Sequence, residues 1–379
     1  MVAKEQTQAP FEQTLPGIFF TSPEIYRQEQ ERIFSRMWVC VGRADAIPEP
    51  GQYFLADVGP ENVIVIRGRD GKLRGFLNVC RHRGARVCIE PCGQVSGALQ
   101  CRYHAWSYGL DGRLIGAPNL VRDERLDRDA FGLVPVALEV WEGLVWVNLS
   151  DAPEPISAQL EPAIIKRLGS MERFARYRLG DLKVGHSITY EIAANWKLIV
   201  ENFMECYHCA PVHPELVRLL PAFRQGISYQ GRPGEGTAFA DDVEGFTLSG
   251  KRARPRLPGL LPEDDRLYIA WVLWPNVFIN LLPDHIILHI LQPLAPDRSR
   301  VVCDWLFDAA EVARPDFDPN DTVAVFDITN RQDWDVCELT QLGMSSRAYA
   351  RGGIYVENEL HIAAFRDFVL ERLGTSLPA

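Results

Sequence analysis

The sequence predicts an α+β protein with two unlike halves: an all-β unit near the N-terminus, then a larger part in which an antiparallel sheet is flanked by helices. Three observations carry this expectation. Between about Gln52 and Leu149 the chain breaks into short β-type runs separated by turn signals: VIVIR, the Asp70–Gly71 pair, LRGFLN, and LDG ahead of RLIGA. Between Leu267 and Phe307 three long alternating or apolar runs read as neighbouring antiparallel strands, with Pro283–Asp284 at one turn. Helical patterns then return, from about Pro319 to Gln341 and from about Asn358 to Leu373.

Taken in order, residues 1–50 read as a helical segment that packs on the second half. Ser22 is placed as N-cap and Pro23 as first helical residue, with Tyr26, Ile33, Phe34 and Met37 along one face. Residues 51–150 form the β unit, and DAPEPIS (Asp151–Ser157) reads as a linker. Residues 158–379 form the second part, where the strand-like LKVGHSITYEI precedes a helix starting near Asn195.

At 379 residues the chain is long enough for two or three domains, and 47% hydrophobic with 24% charged residues is ordinary for a soluble globular protein. A net charge of −10 without any Lys/Arg run argues against a nucleic-acid or anionic-membrane surface. No apolar stretch has the length of a membrane helix, and MVAKEQTQAPFEQ lacks the layout of a secretory leader, so a cytoplasmic protein is expected. In that setting the nine cysteines read as free thiols and metal ligands rather than a disulfide framework. Cys88 and Cys92, as C-x3-C, are a second metal site or redox pair at most, because nothing nearby completes a set of four.

The clearest ligand pattern is Cys80-Arg81-His82, followed after eighteen residues by Cys101-Arg102-Tyr103-His104. Two thiolates and two imidazoles can hold zinc, or a [2Fe–2S] cluster with both His on one iron. Both boxes fall in loops between expected strands, where they can clamp a cluster from two sides. VCRHRGARVC and CRYHAWSYGLDGRL resemble the two boxes of Rieske domains in bacterial ring-hydroxylating and related oxygenases. The resemblance implies that Cys80 and Cys101 hold the inner iron, and His82 and His104 the outer one. Trp106 then reads as a lid over the cluster, or as plain core.

A second constellation lies in NWKLIVENFMECYHCAPVHP, residues 195–214. His208 and His213 are five apart, which a straight helix would not keep on one face, and a break after His208 lets the second ring fold back. Glu205 is placed one helical turn before His208. Two His and one carboxylate on one octahedral face are the ligands of non-haem Fe(II) oxygenases, with positions left for O₂ and substrate. Asp327, Asp333, Asp335 and Glu338 are the available acids. Phe326, Asp333, Val336, Cys337 and Thr340 keep helical spacing, so Asp333 falls in the buried stripe, whereas Asp335 lies about 200° round from it. A buried acid must be paired or bound to metal, which selects Asp333.

E-x-Y-H-x4-H is similar to the catalytic-iron motif of the same oxygenases, and RQDWDVCELTQLGM to their carboxylate helix. Glu205, where most ring dioxygenases carry Asp, is closer to the branch that demethylates betaines such as glycine betaine, carnitine and stachydrine. The resemblance implies a mononuclear Fe(II), O₂ as cosubstrate, and electrons from a separate flavin/iron–sulfur reductase fed by NAD(P)H. It further implies a head-to-tail homotrimer in which Glu205 bridges His208 to His104 of the next subunit. A plain hydrogen-bond acceptor that orients His208 is the other reading of Glu205. The expected pocket wall is Phe203, Tyr207, Trp271, Trp274 and Phe278. Such a wall suits a quaternary ammonium by cation–π attraction, and equally an aromatic ring. N-demethylation, aromatic hydroxylation and, as a non-enzyme, a Rieske electron carrier therefore stand as the functional readings.

Overall fold

Strand Glu61–Arg67 shows how the first half is built: Val63, Ile64, Val65 and Ile66 are all fully buried, so both of its faces are covered. In the computed structural model, which describes residues 11–120, 126–226 and 233–377, this strand sits inside a seven-stranded antiparallel sheet. The order is Val39–Arg43, Leu144–Asn148, Pro135–Trp141, Leu73–Leu77, Glu61–Arg67, Gln52–Val58 and Cys92–Gln94. A smaller sheet of Ala98–Gln100, Ser107–Gly109 and Leu114–Gly116 stands beside it. Both expected turns rest on glycine in the left-handed region. Gly71 has φ +76°, and Gly112 has φ +83° with its α-carbon facing the Phe76 ring, where a β-carbon would collide.

Residues 1–50 depart from the expected helical segment. Ser22 Oγ does accept the Ile25 N–H at 3.3 Å to cap helix Pro23–Glu29, but this helix ends with the π turn Gln30–Phe34. Val39–Arg43 then pairs with Leu144–Asn148, so the β unit begins well before residue 51. The reason is apolar: Trp38, Val39 and Cys40 are buried, and Val39 lies opposite Val147. Leu15, Phe19, Phe20, Ile33 and Phe34 share a core with Trp196 and Phe365 of the second half.

The linker is shorter than DAPEPIS, because helix Ile156–Leu168 starts inside it. Ile156, Leu160, Ile164 and Leu168 repeat every four residues on its buried face, a pattern that Pro162 disguises in the sequence. The second half is a six-stranded antiparallel sheet ordered Lys183–Ile192, Arg298–Phe307, Ile286–Ala295, Val277–Leu281, Leu267–Leu273 and Thr237–Ala238. The three runs expected between Leu267 and Phe307 are thus four strands. Helices Trp196–Met204 and Asn320–Met344 pack on each other and on this sheet, and Ala363–Leu373 packs on the N-terminal helix Pro23–Glu29 and the turn that follows it. Among the described residues no helix is long and apolar enough to cross a membrane.

Candidate metal centres

The two loops of the first centre are folded alike. Cys80 N–H donates to Ala85 O and Cys101 N–H to Trp106 O, both at 2.8 Å; Gly84 N–H returns to Cys80 O and Ala105 N–H to Cys101 O, both at 3.0 Å. Each loop passes through the left-handed region once, at Gly84 (φ +77°) and Ala105 (φ +57°). One loop follows strand Leu73–Leu77 and the other joins Ala98–Gln100 to Ser107–Gly109, so the two sheets bring them face to face. Cys80 and Cys101 are buried, whereas His82 and His104 are exposed with ring centroids 4.6 Å apart. Two thiols beneath and two imidazoles at the rim are the donor set of a [2Fe–2S] cluster with one iron inside and one facing solvent. Tyr108, fully buried, brings its hydroxyl to 3.2 Å from the Cys80 sulfur and accepts the Arg81 N–H at 3.0 Å. Trp106, which is buried, stacks on His82 at 4.9 Å and 8°.

The second centre is built at a helix end. Asn195 Oδ1 accepts the Lys197 N–H to start Trp196–Met204, and the helix stops before Glu205. Glu205 is therefore not a turn of helix ahead of His208, as its spacing suggested. Its backbone is extended, and its carboxylate folds over the following turn to accept the N–H groups of Tyr207 and His208 and the His208 ring Nδ1–H. His208 precedes the short helix Cys209–Val212, and His213 precedes Pro214–Leu219, whose first residue is proline. These two breaks turn both rings to one point.

There Nε2 of His208 and Nε2 of His213 stand 3.1 Å apart, and Asp333 Oδ1 lies 3.2 and 2.9 Å from them. With metal–donor bonds of about 2.1 Å, donors on one octahedral face sit about 3.0 Å apart and tetrahedral donors about 3.4 Å. The observed triangle fits the octahedral face. The outer hydrogen bonds fit too: with Nδ1–H of His208 on Glu205 and Nδ1–H of His213 on Gln332 Oε1 at 2.8 Å, both Nε2 atoms are left to face the metal. Burial works against charging His208, but Asp333 and Glu205 push its pKa up to about 10. Burial would raise Asp333, yet the two imidazoles hold it below the usual carboxylate range.

On helix Asn320–Met344 the buried line is Phe326, Asn330, Trp334, Cys337 and Gln341, with Asp333 at its edge; Thr340, placed in the stripe from sequence, is exposed. The other acids are engaged elsewhere or face solvent. Asp327 pairs with Arg331 and Tyr190, Glu338 accepts the Ala193 N–H, and Asp335 is exposed.

A cavity of about 830 Å³ opens onto the triad. Phe203, Trp271 and Trp274 line it as expected, together with Phe223, Tyr268, Phe326 and Phe368. Tyr207 and Phe278 do not. Tyr207 is 55% exposed because the turn after Glu205 points it outwards, and Phe278 is fully buried behind Phe203, stacked at 4.5 Å. The cysteine reading also changes. Cys88 and Cys92 are free, one buried and one exposed, but Cys206 and Cys209 form a disulfide, which their C-x-x-C spacing was able to signal.

A cluster-binding β unit joined to a facial two-His, one-carboxylate centre under a cavity defines a class of protein, the iron–sulfur oxygenases that activate O₂ at a separate iron. Residues 37–137 match the Rieske [2Fe-2S] domain, and residues 179–375 match the ring hydroxylating alpha subunit (catalytic domain). The chain belongs to this family of Rieske oxygenases: an O₂-dependent oxidoreductase with a [2Fe–2S] cluster and a mononuclear iron. It is 32% identical to the glycine betaine monooxygenase oxygenase subunit of Chromohalobacter salexigens, over 97% of this chain and 88% of the relative. It is 28% identical to the carnitine monooxygenase oxygenase subunit of Escherichia coli K12, over 90% and 86%. A solved quaternary ammonium Rieske monooxygenase, described in terms of carnitine oxidation and inter-subunit electron transfer, superposes with a TM-score of 0.74 at 27% identity over 96% of both chains.

Proposed function

We propose that this chain removes an N-methyl group from a small quaternary ammonium carboxylate. The observation that carries the reading is the cavity: metal donors at one side, and the aromatic faces of Phe203, Tyr268, Trp271 and Trp274 on its wall. Each face that meets an N-methylated cation is worth about 0.5–2 kcal/mol, and no counter-charge is needed. The relatives named for glycine betaine and carnitine support the same substrate class.

In this reading Cys80, Cys101, His82 and His104 hold the cluster, and His208, His213 and Asp333 hold the iron. The bound metals supply electron relay and O₂ activation. Glu205 and Gln332 keep the imidazoles in the tautomer that ligates, and the aromatic wall turns one methyl group toward the iron while excluding water. Hydroxylation consumes the substrate, O₂, two electrons and two protons, and releases one water. The hydroxymethyl ammonium product then falls apart to formaldehyde, a tertiary amine and a proton. Electrons come from a separate NAD(P)H reductase, as the designation "oxygenase subunit" of the relatives supports, and a cytoplasmic location suits that supply. A head-to-tail trimer, with His104 of one chain reaching Glu205 of the next, is supported by the exposed rim at His82 and His104.

The test is product chemistry. With a competent reductase and NADH, glycine betaine, carnitine or stachydrine should yield one formaldehyde per substrate consumed. A hydroxylated ring from an aromatic acid, with no formaldehyde from any betaine, would transfer the assignment to aromatic hydroxylation.

A further inference from the structure

The disulfide between Cys206 and Cys209 encloses the metal ligand His208, since the chain runs Cys206, Tyr207, His208, Cys209. Both cysteines are buried, at 4% and 2% exposure, and both line the cavity that contains the donors. The Cys209 sulfur and a ring nitrogen from each of His208 and His213 lie within 4.8 Å of one another. A bond between residues three apart closes a very short loop, the case in which a disulfide does least for stability. Its position, sulfur against the metal donors, is therefore the feature with chemical consequence.

We propose that Cys206 and Cys209 are a redox-controlled selector of the metal at this centre. As a disulfide, the pair leaves two imidazoles and one carboxylate, a set that suits Fe(II) and keeps positions open. As a dithiol, it adds a thiolate at Cys209. Thiolate with imidazoles favours Zn(II), and a fourth protein donor closes a tetrahedral site against O₂ and substrate. Tetrahedral zinc with bonds of about 2.1 Å to nitrogen and 2.3 Å to sulfur sets those donors about 3.6 Å apart. The three donor residues already offer atoms within 4.8 Å of one another, and breaking the bond to Cys206 frees the side-chain rotation that brings the sulfur closer.

The redox step balances with ordinary partners. A dithiol reductant gives two electrons and two protons, becoming a disulfide itself, and leaves Cys206 and Cys209 as thiols. When Zn(II) binds, the Cys209 thiol releases its proton to water. Hydrogen peroxide, formed when O₂ takes two electrons and two protons without oxidising substrate, reverses the change: two thiols and one peroxide give the disulfide and two waters.

The experiment uses the full chain with its cluster loaded and its mononuclear iron removed by chelation. One portion is kept as isolated and another is treated with dithiothreitol, which is removed before zinc is added. Alkylation and peptide mass should show Cys206 and Cys209 unlabelled in the first portion and both labelled in the second. Zinc K-edge absorption should report nitrogen and oxygen neighbours in the first, and one sulfur at about 2.3 Å in the second. Zinc affinity, by competition with a chelator, should rise at least about tenfold on reduction, while Fe(II) affinity rises less. Cys206→Ser, which leaves Cys209 free, should show the sulfur without reductant; Cys209→Ser should show it under neither condition. Zinc with no sulfur neighbour in the reduced unsubstituted protein overturns the proposal, as does full labelling of both cysteines after peroxide treatment. The proposal rests on the ligand set His208, His213 and Asp333, so failure to bind zinc in either state removes that set and the selector together.

Discussion

Gln332 offers the sharpest test of how the iron site is held. His213 is 1% exposed, and its Nδ1–H donates to Gln332 Oε1 at 2.8 Å. Gln332→Leu keeps most of the side-chain volume but leaves that N–H without its acceptor. Without metal the imidazole can turn or change tautomer to escape the loss; with Nε2 fixed on metal it cannot, so the penalty falls on the bound state. An unsatisfied buried donor costs about 1–3 kcal/mol, which converts to a loss of roughly 5- to 150-fold in metal affinity. That range agrees with the 10- to 100-fold typical of groups that orient metal-bound imidazoles. The assay is Co(II) or Fe(II) competition against a chelator, on cluster-loaded protein whose melting temperature shows that the fold is intact. Gln332→Glu retains the acceptor, although it exchanges the Nε2–H bond to Glu215 Oε2 at 3.3 Å for a second carboxylate, and should bind metal more tightly than Gln332→Leu. A Leu variant within twofold of the unsubstituted affinity would refute the reasoning.

Three further outcomes follow from the same geometry. Tyr108→Phe deletes the hydroxyl 3.2 Å from the Cys80 sulfur. If that hydrogen bond is worth about 1 kcal/mol more to the reduced cluster, the potential falls by about 40 mV in a redox titration, and an unmoved potential contradicts it. Because the metal-free fold raises His208 from 6.5 to about 10, the stability this proton contributes is complete below pH 6.5 and lost as the pH rises through about 10. Metal must displace the proton, so affinity should climb roughly tenfold per pH unit across that window; a flat profile would show that His208 is not the group displaced. Glu205→Gln keeps an acceptor for the ring but removes the charge. Iron should stay bound while a reduced Rieske cluster, given substrate and O₂, reoxidises at least about tenfold more slowly; unchanged single-turnover kinetics would take Glu205 off the electron route.

Patterns governed by local chemistry were legible in the sequence. The two Cys/His boxes, the two His around Pro211, and the choice of Asp333 over Asp335 follow from donor type and helix periodicity, and the structure brings each set together. What escaped depends on tertiary packing. Whether Phe278 meets the cavity or lies behind Phe203 is decided by how a strand faces a helix, which its own residue type does not encode. Tyr207 follows from the turn that Glu205 caps, a structure hidden because Glu205 looks like the last turn of a helix. Gln332 had no signal at all, being one polar residue on an exposed-looking stretch until His213 is placed against it. The strand Val39–Arg43 was obscured by the helix before it, and helix Ile156–Leu168 by the prolines at 155 and 162.

An inventory of iron and sulfide measures directly whether one chain holds two metal centres with separate ligand sets. Anaerobically purified protein should carry three irons and two labile sulfides per chain, the sum of one [2Fe–2S] cluster and one mononuclear site. Asp333→Ala should lose one iron and all turnover while keeping both sulfides and the Rieske spectrum, Asp335→Ala should lose nothing, and Cys80→Ala should lose two irons and both sulfides. A chain that retains its third iron in Asp333→Ala, or loses it in Asp335→Ala, would contradict the site described here.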